Sequence, residues 1–217
     1  MMTYYKFMQT GCIETFTDWQ WYVGEWMLPY EGYPIEGEGD EMQITGDCYC
    51  FIRPRAEDVV AWLDAELYEF EVEPGGAIIE CPCGCVTTAS CRLVKRLTTW
   101  NEQAMRNLIC DYAERAALEH DNLRPVMAMA GRLANGEATR KEVDAVWAAG
   151  EISNRTPAEL VVWDAFWWLV LGDTSSWKTI GPMVRRVAQD ARGVAPDWDE
   201  EYQWQTQHLL GALGLDA

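Results

Sequence analysis

The hydrophobic period of this chain changes once, within Cys91-Arg92-Leu93-Val94-Lys95-Arg96-Leu97-Thr98-Thr99-Trp100-Asn101-Glu102. Upstream, apolar residues fall at alternate positions in short, turn-broken runs. Downstream they recur at three and four, the repeat of a helix face. The seam opens as a strand, Arg92 and Arg96 against Leu93 and Leu97. Thr99 and Glu102 then stand at the spacing of a capping box, where the hydroxyl accepts an orphan N–H and the carboxylate reaches back. The expected fold class is therefore α+β. A small mixed α/β-sheet domain over residues 1–98 precedes an all-α helical array over 99–217.

Within the first part, Thr3–Met8 alternates as a strand and Phe16–Tyr22 repeats the pattern with aromatics. Residues 29–46, rich in Gly and Pro, carry Glu31, Glu36, Glu38, Asp40 and Glu41 and read as a loop. Its length exceeds ordinary connections, which points to binding. Cys48–Arg53 reads as a strand, and Pro54 opens a short helix over Ala56–Leu63. Leu67–Glu73 is a strand with Tyr68, Phe70 and Val72 inward and Glu69, Glu71 and Glu73 outward.

The second part is punctuated by caps. Helices are expected over Trp100–Leu118, from Pro125 to the Asn135-Gly136 pair, and from the Thr139/Glu142 box to Gly150. Thr156, Pro157 and Glu159 start a helix to Leu171 that is apolar nearly all round and therefore central. Its Trp163, Trp167 and Trp168 are expected in the core. A fifth helix lies within Thr179–Arg192, and Asp197 with Glu200 caps a sixth.

Charge bounds the function. Asp and Glu number 35 against 17 Lys and Arg, a net charge of −18. Direct binding to nucleic acid or an anionic membrane is disfavoured, because phosphate is neutralised by Lys and Arg. A basic protein partner is favoured, because a field of this sign steers cationic surfaces. The alternative is acidity kept for solubility. On the strand, Glu69, Glu71 and Glu73 would stand about 7 Å apart, two residues per step. That is about twice the roughly 3.4 Å charge spacing along one DNA strand. With no long apolar run and no signal-peptide h-region, the expected location is the cytoplasm, where cysteines stay reduced.

Cys48, Cys50, Cys81, Cys83 and Cys85, with Cys91, form the candidate metal cluster. C-x-C on a strand places both thiols on one face, and four converging thiolates suit zinc, although zinc knuckles favour wider spacing. The alternative is buried, inert thiols, the reading given to Cys12 and Cys110. Only two histidines are present, His120 and His208, and no nucleophile, phosphate-loop or metalloprotease motif occurs. An enzyme of unrecognised class remains a third expectation.

Tyr5-Lys6-Phe7, residues 16–21, Gly46-Asp47-Cys48-Tyr49-Cys50 followed by Glu57-Asp58-Val59, and Leu67–Val72 resemble an uncharacterised domain of phage and actinobacterial proteins. That family shows a Gly-Leu-His-x-Cys pattern, a helix, an acidic strand and a Val-x5-Arg-Leu-Val-Arg end. Val86 and Arg92-Leu93-Val94-Lys95-Arg96 are similar to that end, whereas Asp47 and Cys48 replace its Leu and His. Cys110–Ala116, Gly136–Thr139 and Trp204-Gln205 resemble the Ala-rich repeats of putative immunity proteins. The resemblance implies a phage or mobile-element setting in a bacterial host cell. Together with the charge, it gives the leading expectation: an acidic inhibitor of a host nucleic-acid-binding defence protein, of anti-CRISPR or anti-restriction type, acting by DNA mimicry. The expected contact residues are Glu31, Glu36, Glu38, Asp40, Glu41, Glu69, Glu71 and Glu73. The alternative is an immunity-type or structural binding module with incidental acidity.

Overall fold

The computed structural model describes residues 4–14, 19–27, 35–36, 43–44, 59–75, 78–80, 86–88, 90–150, 155–172 and 180–215. The fold is α+β, a small antiparallel sheet followed by helices. The strands are β1 (Tyr4–Gln9), β2 (Ile13–Glu14), β3 (Ile35–Glu36), β4 (Gln43–Ile44), β5 (Glu66–Val72), β6 (Ile78–Glu80), β7 (Val86–Thr88) and β8 (Cys91–Arg96). The helices are α1 (Glu102–Ala116), α2 (Arg124–Ala134), α3 (Arg140–Ala149), α4 (Pro157–Gly172), α5 (Ile180–Val194) and α6 (Trp198–Leu213). Contacts divide the chain into a sheet unit, Met1–Val59 with Glu66–Leu97, and a helical unit, Val60–Ala65 with Thr98–Ala217.

In the sheet unit the strand order is β2-β1-β5-β8, antiparallel throughout. Tyr4 lies opposite Phe70 and Phe70 opposite Leu93, so alternate residues of three strands share one face. Tyr4, Met8, Tyr68, Phe70, Cys91 and Leu93 pack there around the buried Trp21. The outer edge of β8 is covered: Gly24 N–H donates to the Leu93 carbonyl at 2.8 Å, and Met27 exchanges bonds with Cys91. That covering removes an open edge.

Three local expectations change. Among residues 19–22 there is no strand, only a bridge from Gln20 to Ile13. Gly11 and Cys12, at φ +85° and +61°, turn the chain tightly enough that Ile13–Glu14 pairs back onto β1 instead. The acidic stretch read as a loop contains the paired strands β3 and β4. The expected helix over 56–63 is, in its described part, a single 3-10 turn, Val59–Trp62. The strand expected over 48–53 lies outside the described residues.

Residues 60–65 belong to the helical unit. The indole N–H of buried Trp100 donates to the Asp64 carbonyl at 2.7 Å. Gly181, at the start of α5, meets the same backbone; a Cβ there would fall inside the Asp64 carbonyl group. The Trp100 anchor also bears on where α1 begins. Its N-cap is Asn101, whose Oδ1 accepts from Ala104 N–H at 3.1 Å, two residues later than the expected Thr99 cap. Glu102 pairs with Arg106 at 2.8 Å rather than closing a box. The other caps stand where they are expected. Thr139 and Glu142 form a reciprocal box, Thr156 and Glu159 another, and Asp197 accepts from Glu200 N–H. Gly136 and Gly214 end α2 and α6 at positive φ.

The α4 helix packs against α1, α2 and α5, burying Val161, Val162, Phe166 and Leu169. Its tryptophans divide: Trp163 is buried and Trp168 half-buried, whereas Trp167 is exposed, contrary to its expected core position.

Two glycines give opposite predictions. Gly181→Ala should lower stability by about 1–3 kcal/mol or more, because its neighbour is backbone and cannot move aside. Gly131→Ala in α2, where added atoms meet nothing, should raise it by roughly 0.5–1 kcal/mol. Urea denaturation of both variants checks the pair. Hydrogen bonds from Thr139, then from Arg132, hold the Glu142 carboxyl down at about 2 from its ordinary 4.5. Its folded pKa is depressed, so its contribution is full above about 4.5 and is lost as pH falls through about 2. An NMR titration of the Glu142 side chain reads this directly.

Candidate protein-interaction site

The acidic face of β5 is built opposite a basic strand. Register places Glu69 opposite Lys95 and Glu71 opposite Arg92. Lys95 Nζ lies 2.9 Å from Glu69, and Arg92 donates to Glu71 Oε2 through both Nε and Nη2 at 2.7 Å. Glu66, at the start of the same strand, pairs with Arg96 at 3.0 Å through Oε1. Its Oε2 accepts from the Gly11 and Cys12 N–H groups and from the Tyr68 hydroxyl. On β1, Lys6 and Glu14 form a buried pair at 2.5 Å, with the ammonium 5.2 Å from the Trp21 ring centre.

These pairs redistribute the charge that the sequence displays. Residues 1–97 hold 17 acids and only 6 bases. Four of those bases, Lys6, Arg92, Lys95 and Arg96, are paired within the sheet. Glu69 and Glu71 are therefore balanced rather than presented as a free row. Glu73 lies exposed just beyond β5, its N–H donating to the Ser90 carbonyl. Glu36 is on β3, while Glu31, Glu38, Asp40 and Glu41 lie outside the described residues.

Of the cysteines, Cys48, Cys50, Cys81, Cys83 and Cys85 lie outside the described residues. Cys91, grouped with them by sequence, is instead fully buried in the sheet core, where desolvation pushes its thiol well up. Its thiol packs in the same cluster as Phe70 and Leu93. Cys12, expected in the core, sits at the strained turn, and its thiol donates to the Tyr68 oxygen at 3.1 Å. Burial, then Cys12 and Glu66, raise Tyr68, so the phenol keeps its proton and donates a hydrogen bond to Glu66 Oε2 at 2.9 Å. The relay ties the turn to β5. Among the described residues no three His, Cys, Asp or Glu side chains group as a metal site.

In the helical unit, His208 lies 2.8 Å from Asp111 and stacks on Trp204 at 4.8 Å between ring centres. Cys110 beside it is pushed up to about 12 by burial, with Asp111 and Glu114 adding to the shift. The dyad thus has no activated thiol next to it; it joins α6 to α1. An open groove of about 490 Å³ runs between α1 and α2, lined by Asn107, Cys110, Asp111, Glu114, Arg124 and Met127 among others. Sequence reading missed Lys6–Glu14 and His208–Asp111, because each pair joins two different elements, β1 with β2 and α1 with α6, and the repeat within either element does not specify its partner.

The comparisons return nothing: no protein-family model, curated protein or solved structure matches this chain.

The buried pair supplies a prediction. Glu14→Ala removes the carboxylate that the buried Lys6 ammonium pairs with at 2.5 Å and should cost about 3–5 kcal/mol, whereas the Lys6→Met/Glu14→Leu double variant should come close to wild type. Lys95→Ala, breaking a pair whose base is mostly exposed, should change stability by no more than about 1 kcal/mol. Chemical denaturation separates the three.

Proposed function

We propose that this protein is an acidic binding module that engages a basic, nucleic-acid-binding protein of a bacterial host, in a phage or mobile-element setting, and blocks that protein's nucleic-acid surface by mimicry. One observation carries the reading. The sheet's bases are matched to the sheet's own acids, so the surplus negative charge belongs to residues outside those pairs. Residues 28–58 alone hold eight acids and two bases. An unbalanced surplus of this sign steers cationic partners. The absence of a helix long and apolar enough to cross a membrane, among the described residues, accords with a partner met away from the bilayer core.

The test uses the full chain, immobilised and exposed to bacterial lysate. A partner should elute as salt rises from 0.1 to 1 M, over which the Debye length shrinks from about 10 to 3 Å. Duplex DNA should displace it. Replacing Glu31, Glu36, Glu38, Asp40 and Glu41 together by Gln should slow association more than it speeds dissociation. A partner retained equally at 1 M salt, or one that holds DNA and this protein together, rules out mimicry.

A further inference from the structure

Among the described residues, one stripe of the α4 helix is only partly covered. Leu160, Asp164, Trp167 and Leu171 recur at i, i+4, i+7 and i+11, a single helix face. Leu160 is 49% and Trp167 38% exposed, and Leu171 is half-buried. Trp147 of α3, also 38% exposed, widens the stripe, its ring centre 5.0 Å from that of Trp167. Exposed aromatics gathered on one face mark interaction surfaces, and tryptophan is enriched where binding energy concentrates.

Asp164 interrupts the apolar stripe. Among the described residues its carboxylate makes no hydrogen bond or ion pair, although Arg186 lies near enough to be felt. Arg186 is already held by Asp190 at 2.8 Å. Although the residue is exposed, partial desolvation of its carboxyl, and then the Asp190 charge, raise Asp164 above its ordinary value; Arg186 and Arg155 pull it back only in part. A carboxylate so placed is short of a counter-charge. The neighbouring rings already take a guanidinium: Arg155 lies 4.2 Å from the Trp163 ring centre.

We propose that this stripe docks a partner segment that presents an arginine between apolar side chains. The guanidinium stacks on Trp167 and Trp147 and pairs with Asp164, and the apolar neighbours cover Leu160 and Leu171. Arginine suits the site better than lysine, because its planar fork both stacks on aromatic faces and pairs with carboxylates. A second copy of this chain is disfavoured, since it brings another −18 of like charge to the contact. The proposal rests on the basic-partner reading and names one anchor on that partner.

Two labelled synthetic peptides of equal charge test it by fluorescence anisotropy on the full chain. One is amphipathic, with Arg and Leu on one helical face; the other has Lys for Arg and Ser for Leu. Wild type should bind the Arg/Leu peptide at least about tenfold more tightly, given one desolvated cation–π contact and one charge-assisted pair. Asp164→Asn and Leu160→Gln, both at exposed positions, should each remove about three- to tenfold of that preference, since each deletes one contact of the set. Both should leave the Lys/Ser peptide unchanged and the melting temperature undiminished. Trp167→Ala should remove the preference altogether. Equal binding of the two peptides by wild type, or variants indistinguishable from it, overturns this inference while salt-dependent Lys/Ser binding leaves the basic-partner reading intact. Failure of wild type to bind either peptide overturns both.

Discussion

Strand β5 is hydrogen-bonded on both edges, to β1 and β8, while carrying three glutamates, Glu66, Glu69 and Glu71. A central strand this acidic needs compensation, because like charges crowd one another and partial burial raises the cost of each. Compensation comes from β8, whose Arg92, Lys95 and Arg96 meet Glu71, Glu69 and Glu66. The irregularity between Glu69 and Phe70 shifts the register, so Arg96 falls opposite Tyr68 and within reach of Glu66. The other carboxylate oxygen of Glu66 then fixes the Gly11–Cys12 turn, which brings β2 back onto β1. Charge pairing and chain direction are thus set together.

The helical unit solves a similar problem around Gln205, which is fully buried in α6. Its amide donates to the Ala188 carbonyl and to Glu201, and its oxygen accepts from Arg192 at 2.7 Å. Arg115 of α1 reaches Glu201 at 2.5 Å, and the Tyr112 hydroxyl approaches the Gln205 carbonyl. Burial raises the Tyr112 phenol, so it remains a donor. A buried network with its members partnered specifies one arrangement of α1, α5 and α6, where apolar packing alone tolerates sliding. The same network absorbs Arg115, Arg192 and Glu201, leaving Asp164 among the acids that are not paired.

The two proposed contact features differ in kind. Surplus charge acts at long range and governs encounter, and it weakens with salt. The Trp147–Trp167 stripe with Asp164 acts only in contact, where stacking and desolvation govern the lifetime of the complex. A partner using both would join quickly and leave slowly.

Local chemistry alone determined much of this protein. Thr139, Thr156 and Asp197 cap their helices because a side-chain oxygen beside an orphan N–H needs no distant partner. Alternation sufficed for β1, β5 and β8, since one face of each had to be apolar. Tertiary structure decided the rest. Asn101, not Thr99, caps α1, and Trp100 beside it is fixed to Asp64, 36 residues away. Glu69 and Glu71 read as a bare acidic row until β8 supplied their bases, because strand pairing is not written in either strand alone. Trp167 reads as core on a helix apolar all round, and which of its faces stays open depends on where α1, α2 and α5 pack. Periodicity fixes which residues share a face; only the neighbours that arrive decide what that face meets.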